Sequence, residues 1–152
     1  MKTLVLGIGN PILGDDGVGV HVVQELAEKI RDENVDIKDV SFDGLNLLEL
    51  IVGYDRLIVI DAIMVEDGEV GKIYKLKPEG IYKPTQSAIA PHHFNLVSTI
   101  EIGKRLFPNE MPKEIVVFAV GIHEVINVAE EMTEKTKESS SKLVGLVLEE
   151  LS

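Results

Sequence analysis

The sequence contains no cysteine among its 152 residues. This absence excludes disulfides, thiolate catalysis, cysteine-ligated zinc and iron–sulfur clusters. The chain also lacks an apolar run that approaches the ~20 residues of a membrane span. Its N-terminus lacks the long apolar segment and small-residue cleavage site of a signal peptide. We therefore expect a cytoplasmic protein without membrane insertion.

Positive charge is scarce, because 15 Lys and Arg residues stand against 26 Asp and Glu residues, giving a net charge of −11. Nucleic acids and anionic membranes are bound by basic patches, so both are disfavoured as partners. The length and the 45% hydrophobic content are those of a globular chain with a sizeable core. We expect one domain over residues 1–152.

Apolar and amphipathic segments alternate along the chain, which predicts alternating strands and helices. Strands are predicted at residues 2–7, 35–41, 56–60, 71–76 and 114–120, and helices at residues 16–31, 45–52, 92–107 and 130–151. A hairpin turn at residues 66–69 would make the fourth strand return antiparallel. The predicted fold is α/β with three αβα layers: a mostly parallel twisted sheet of about five strands, one of them antiparallel, and helices on both faces.

The first predicted strand ends in a glycine turn, Gly7-Ile8-Gly9. This is similar to half of a dinucleotide-binding fingerprint, but the third glycine position is occupied by Ile12. The acids Asp15 and Asp16 would repel a pyrophosphate, and no Gly-Lys-Ser/Thr phosphate loop occurs. Nucleotide binding is therefore not predicted for this turn.

Three segments place acids or histidines where parallel strands should end. Asp15 and Asp16 follow the first strand, Asp61 follows the apolar run at residues 57–60, and His92 and His93 open a helix after a long loop. Carboxyl ends of parallel strands form one edge, where open α/β sheets bind ligands. Two carboxylates and an imidazole there would suit nickel, zinc, iron or manganese. Helix capping and surface exposure are the structural alternatives, and the residues alone leave both open.

Within these segments the roles are expected to differ. We interpret Asp15 as a helix cap and Asp16 as the ligand. His92 is preferred to His93, and His93, His123 and Glu124 are expected to support the ligands rather than contact the ion. The serines lie outside any Gly-x-Ser-x-Gly turn, so a serine hydrolase triad has no support.

The same segments, in the same order, resemble the hydrogenase maturation endopeptidases. Gly7-Ile8-Gly9-Asn10 with Asp15-Asp16-Gly17-Val18-Gly19 carries most of the likeness, followed by Asp61-Ala62 and Pro91-His92. The resemblance implies removal of a C-terminal extension from the large-subunit precursor of nickel–iron hydrogenase after nickel insertion. The nickel would come with the substrate, and no organic cofactor is implied.

The resemblance also implies site residues. Asp16, Asp61 and His92 would contact the metal, Asp16 and Asp61 would be catalytic, and Asp43 with Gly44 would contact the substrate. The first acid is Glu in some members of the family. Either the two carboxylates activate water as in aspartic proteases, or the nickel is recognised and polarises the scissile carbonyl. A small metal-dependent hydrolase and a non-catalytic nickel-binding assembly factor are the alternative functions.

Overall fold

A computed structural model describes residues 1–40, 47–77, 93–123, 128 and 131–152. Five strands are present in this part of the chain: β1 (Thr3–Ile8), β2 (Val35–Val40), β3 (Arg56–Met64), β4 (Ile73–Leu76) and β5 (Glu114–Ile122). The helices are α1 (Val18–Lys29), α2 (Leu47–Ile51), α3 (His93–Leu106) and α4 (Glu134–Leu151). Two 3-10 turns lie at Gly14–Gly17 and Asp67–Glu69.

The strands form one sheet in the order β2-β1-β3-β5-β4. All neighbouring pairs are parallel except β4 and β5, which are antiparallel. The chain moves from β1 outward to β2 and then returns to β3 on the other side of β1. The strand order therefore reverses between β1 and β3, and this is the switch point at which open α/β sheets hold their sites.

Apolar side chains cover both faces of the sheet. On one face, Val5, Ile58 and Val116 belong to a core shared with α1 and α4. On the other face, Leu6, Leu57 and Val117 belong to a core shared with α2 and α3. Alternate residues of the central strands supply the two cores, because successive side chains of a strand point to opposite faces. The predicted three-layer α/β fold is confirmed.

Several predicted boundaries were wrong for structural reasons. β3 continues to Met64, so that Asp61 lies within the strand rather than after it. The segment expected to return antiparallel does so, but β4 pairs with β5 and not with β3. The predicted helix from residue 16 begins as the 3-10 turn Gly14–Gly17, and α4 begins at Glu134 because Thr133 is its N-cap. In the described residues, no helix combines the length and apolar character needed to cross a membrane.

Candidate functional site

The candidate site lies at the carboxyl edge of the sheet, at the switch point. β1 and β3 pair up to Gly7 and Ile60, whereas β3 and β5 stay paired to Met64 and Ile122. The carboxyl end of β3 therefore extends past the end of β1. The 3-10 turn Gly14–Gly17 contacts β3 on this side, and Asp61 follows the last β3 residue that is paired with β1.

Asp16 lies in the 3-10 turn that connects β1 to α1 and is only 5% exposed. Its Oδ2 accepts a hydrogen bond from the backbone N–H of Asn10 at 3.0 Å. The Asn10 side chain in turn accepts from the backbone N–H of Ile12 at 3.2 Å, a local turn that shapes the loop. The orientation of the Asp16 carboxylate is therefore set by the backbone of the loop after β1. Sequence reasoning missed this part played by Asn10.

Glycines let the turn and α1 lie against the strands. A Cβ at Gly19 would be 2.4 Å from the carbonyl oxygen of Ile60 and 2.7 Å from that of Ile8. Gly9 has a φ of +154°, and a Cβ there would be 2.2 Å from the carbonyl oxygen of Asp16. Only residues without Cβ permit such close approach of backbone to backbone. Gly9 and Gly19 thus let the turn that carries Asp16 and the start of α1 lie directly against the strands.

Asp61 is fully buried in β3, between Ile60 and Ala62, which are also fully buried. Its Oδ1 accepts a hydrogen bond from the backbone N–H of Ala62 at 2.7 Å. An ionised carboxylate is expensive to bury unless it is paired with donors or with a cation. A carboxylate in the centre of an apolar strand therefore depends on its polar partners at this edge of the sheet.

Asp15 does not have the predicted capping role. Neither the turn Gly14–Gly17 nor α1 has a side-chain cap. The Asp15 carboxylate instead accepts hydrogen bonds from the backbone N–H of Thr133 at 2.7 Å and from its hydroxyl at 3.0 and 3.2 Å. Thr133 is itself the N-cap of α4, where its hydroxyl oxygen accepts from the N–H of Thr136. Asp15 therefore joins the loop after β1 to the last helix.

The sequence did contain a signal for the start of α4. A Thr directly before Glu134 marks a helix start, because Ser or Thr ahead of an acidic first turn is a typical N-cap. The helix was predicted from residue 130, and this overlooked Thr133. The hydrogen bond from Thr133 to Asp15, 118 positions away, has no signal in the sequence.

The remaining predicted site residues lie partly outside the described residues. His92, Asp43, Gly44 and Glu124 are outside them, and so is the side chain of His93. α3 begins at His93 and leads into β5, which is parallel to β3. The helix therefore runs from the carboxyl edge of the sheet to the opposite edge, and its first turn lies at the same edge as Asp61. Within the described ranges, no three His, Asp or Glu side chains are grouped closely enough to hold a metal ion.

Two polar contacts lie near the end of β5. The Nδ1 atom of His123 is 3.3 Å from the carboxylate of Asp67, and both side chains are well exposed. Next to them, the hydroxyl of Tyr74 donates to Glu69 at 2.5 Å. Burial and this hydrogen bond raise the pKa of Tyr74 to about 12. The Tyr74 and Lys72 hydrogen bonds lower the pKa of Glu69. The turn after β3 is thereby tied to β4.

Comparison with known proteins identifies the fold and the family. The sequence model of the HycI family, described as hydrogenase maturation protease, matches residues 20–150. The hydrogenase 2 maturation protease of Escherichia coli is 31% identical over 121 residues, which are 79% of this chain and 73% of that protein.

Solved structures agree with the sequence comparison. The hydrogenase maturating endopeptidase HybD from E. coli superimposes with a TM-score of 0.83 and 29% identity, over 99% of this chain and 92% of that one. The [NiFe] hydrogenase maturation protease HybD from Thermococcus kodakarensis has the same fold, with a TM-score of 0.80, 22% identity and 98% coverage of each chain. The chain belongs to the hydrogenase maturation protease family and is an endopeptidase that processes the hydrogenase large subunit.

Proposed function

We propose that this endopeptidase acts in the cytoplasm on the nickel-loaded large-subunit precursor of a nickel–iron hydrogenase and removes its C-terminal extension. It recognises the nickel through Asp16, Asp61 and His92. One observation carries the proposal: two nearly inaccessible carboxylates, one in the turn after β1 and one inside β3, lie at the switch-point edge of the sheet. The family to which the chain belongs supplies the class of reaction.

The donor chemistry supports nickel as the recognised ion. Ni²⁺ accepts both carboxylate oxygen and imidazole nitrogen. The backbone N–H groups of Asn10 and Ala62 donate to the carboxylates of Asp16 and Asp61, and these hydrogen bonds fix the orientation of both side chains. Because the nickel arrives with the precursor, it is part of the substrate, and the protease needs no resident metal and no organic cofactor.

Cleavage has two routes in this arrangement. The substrate's nickel can polarise the scissile carbonyl as a Lewis acid. Alternatively, Asp16 and Asp61 share a proton and activate a water molecule, as paired carboxylates do in aspartic proteases. Both routes place the scissile peptide against the two carboxylates. We favour recognition of nickel as the step that selects the precursor. Cleavage then follows with help from the nickel or from a water molecule activated by the carboxylates.

The contacts to the protein substrate are proposed at the same edge. β2 ends at Val40 beside Ile8 of β1, where the N–H of Gly9 donates to the Val40 carbonyl at 3.2 Å. The chain therefore enters the segment with Asp43 and Gly44 from the carboxyl edge. We propose that these two residues contact the precursor, and that His93 and Glu124 support the nickel-binding side chains.

The test compares two forms of one precursor. Nickel-loaded and nickel-free large subunit are incubated with the protease, and the products are weighed by intact-protein mass spectrometry. We expect only the loaded form to lose its C-terminal extension. Equal shortening of both forms would show that nickel is not what is recognised.

A variant pair separates the site from the rest of the protein. Asp61→Asn should stop cleavage of the loaded precursor. Asp32→Asn changes an exposed acid ahead of β2 and keeps the oxygen that accepts from the N–H of Asn34, so cleavage should be unchanged. The two alternatives, a hydrolase of small molecules and a non-catalytic assembly factor, disagree with membership of a protease family.

A further inference from the structure

A basic groove follows the outer side of β4. Its wide end is a cavity of about 640 Å³ beside the start of β5. Four lysines line this end: Lys75 on β4, Lys77 just after it, Lys104 on α3 and Lys113 ahead of β5. Among the described residues of this lining, the acids are Glu114 and Glu150.

The groove continues along β4 toward the carboxyl edge. Two further cavities share Gly71, Lys72 and Lys142, and one of them shares Lys75 with the wide end. Lys135 of α4 completes this upper part. We call the whole surface the β4 groove. Among the described residues, seven lysines line it against three glutamates, although the chain carries a net charge of −11.

Most of this positive charge is not neutralised within the described residues. Lys72 is paired with Glu69 and Lys75 with Glu150, each at 3.1 Å. The other five lysines make no ion pair with the part of the chain that the structure describes. The described lining of the groove is therefore rich in unpaired lysines, which would attract an acidic ligand.

β4 also offers backbone groups to a ligand. In the described residues it pairs only with β5. The N–H of Gly121 donates to the Lys72 carbonyl at 2.9 Å, and the N–H of Gly71 donates to the Gly121 carbonyl at 2.8 Å. With Gly71 at a φ of +86°, this is a glycine β-bulge at the start of the strand.

The bulge sets the alternation of hydrogen bonds along β4. Tyr74 and Leu76 face β5, whereas the N–H and C=O groups of Ile73 and Lys75 point to the outer edge. An outward row of this kind is the template on which an extended peptide adds as a further strand.

Lysines on an edge strand also protect it from aggregation. That role explains Lys72 and Lys75 on and beside β4. It does not explain Lys104, Lys113 or Lys142, which lie on other elements and converge on the same groove. The convergence of lysines from several elements favours a ligand.

We propose that the β4 groove binds an extended acidic segment of a protein partner, which adds to the sheet as a strand beside β4. Main-chain hydrogen bonds to Ile73 and Lys75 would set its register, and acidic side chains on one face of the added strand would meet the lysines of the groove. The site is separate from the switch-point edge, and its occupation requires neither nickel nor cleavage.

The test measures binding of a synthetic probe to the full chain. A fluorescein-labelled peptide of about ten residues, alternating Glu and Val, is titrated by fluorescence anisotropy at low and high salt. We expect binding that weakens as salt rises. The same peptide with Lys in place of Glu should not bind. Absence of binding by the Glu peptide at low salt would overturn the proposal.

Charge reversals locate the binding. Lys104→Glu with Lys113→Glu should weaken it at least about tenfold. The matched control is Lys29→Glu with Lys38→Glu. Lys29 and Lys104 each lie in the last turn of a helix, Lys38 lies on β2, and Lys113 directly precedes β5. The control should bind within about twofold of the parent. Equal loss in both double variants would mean that only net charge matters, and would refute the assigned site.

Two further probes test the mode of binding. A Glu–Val peptide methylated at alternate backbone nitrogens keeps its charge but cannot donate along one edge, and it should bind at least about tenfold more weakly. Undiminished binding would refute strand addition. Single-stranded DNA of about ten nucleotides, if it bound as tightly as the Glu–Val peptide, would show a general anion surface and would also overturn the proposal.

Discussion

Asp15 and Thr133 join the loop after β1 to the start of α4. The Asp15 carboxylate accepts hydrogen bonds from both the backbone N–H and the hydroxyl of Thr133, a residue 118 positions away. The contact fixes the loop that carries Asp16 to the start of α4. An acid beside the candidate catalytic acid therefore has an architectural role.

This contact should be measurable as coupling between the two residues. Asp15→Asn leaves a single accepting oxygen, that of the amide, where both oxygens of the carboxylate accept, and the variant should lose about 1–3 kcal/mol of unfolding free energy in urea. Thr133→Val should lose a similar amount, because it removes the hydroxyl. In a double-mutant cycle the losses should overlap by about 1 kcal/mol. Additive losses would contradict the direct contact, and Thr133→Ser should behave as the parent.

Both buried carboxylates should be needed for cleavage. Asp16→Asn and Asp61→Asn should each lower the cleavage rate of nickel-loaded precursor at least about 100-fold, since catalytic carboxylates supply effects of this size. Far-UV circular dichroism would verify that both variants fold. A parental rate in either variant would remove that residue from the catalytic site.

Lengthening the same acids gives a second contrast. Asp16→Glu should keep cleavage, because the resemblance to the hydrogenase maturation endopeptidases includes Glu at this position. Asp61→Glu should lose about 1–3 kcal/mol of stability, because a fully buried strand position has no room for another methylene. Urea unfolding of the two variants measures the difference.

The close approach of α1 to the strands predicts a large effect at Gly19. A Cβ there would be 2.4 Å from the Ile60 carbonyl oxygen, so Gly19→Ala should push α1 away, cost at least about 1–3 kcal/mol and slow cleavage. Gly145→Ala is the control. Gly145 lies within α4, and a Cβ there would meet nothing within 4 Å, so this variant should gain about 0.5–1 kcal/mol. Thermal unfolding and a cleavage assay distinguish the two, and equal effects would contradict the packing.

The hydrogen bond between Tyr74 and Glu69 should stabilise the protein only within a limited range of pH. Tyr74 has its pKa raised to about 12 by burial and by this bond, so its stabilising contribution is lost as the pH rises from 10 to 12. Glu69 has its pKa lowered, so its contribution is lost as the pH falls below its ordinary 4.5. The stability difference between the parent and Tyr74→Phe should be constant between these limits and shrink outside them. Thermal melts across the pH range measure it, and a constant difference at all pH values would refute the bond's role.

The order of elements was predictable from the sequence because the apolar and amphipathic segments alternate so regularly. The placement of Asp16 and Asp61 at one edge followed from the rule for parallel strands. Their surroundings did not. Asp61 lies inside β3 because β3 and β5 continue to pair after β1 has ended, and strand pairing between distant segments has no signature in either strand alone.

Two other features show the same limit. β4 follows β3 closely in the chain and looked like the second strand of a hairpin, yet it pairs with β5. Asp15 looked like a cap for the helix beside it, yet it bonds to Thr133. In both cases the local pattern was sound, and a distant segment of the chain supplied the partner.

The pairing of β4 has a consequence for the order in which the protein is assembled. β4 is complete at Leu76, but its partner begins only at Glu114, after the whole of α3 has been synthesised. Until β5 docks against β3, β4 has no neighbour in the described part of the sheet. β4 can therefore join the sheet only once β5 is in place. A chain interrupted during synthesis before β5 would already contain Asp16 and Asp61, but its outer strand would be unattached.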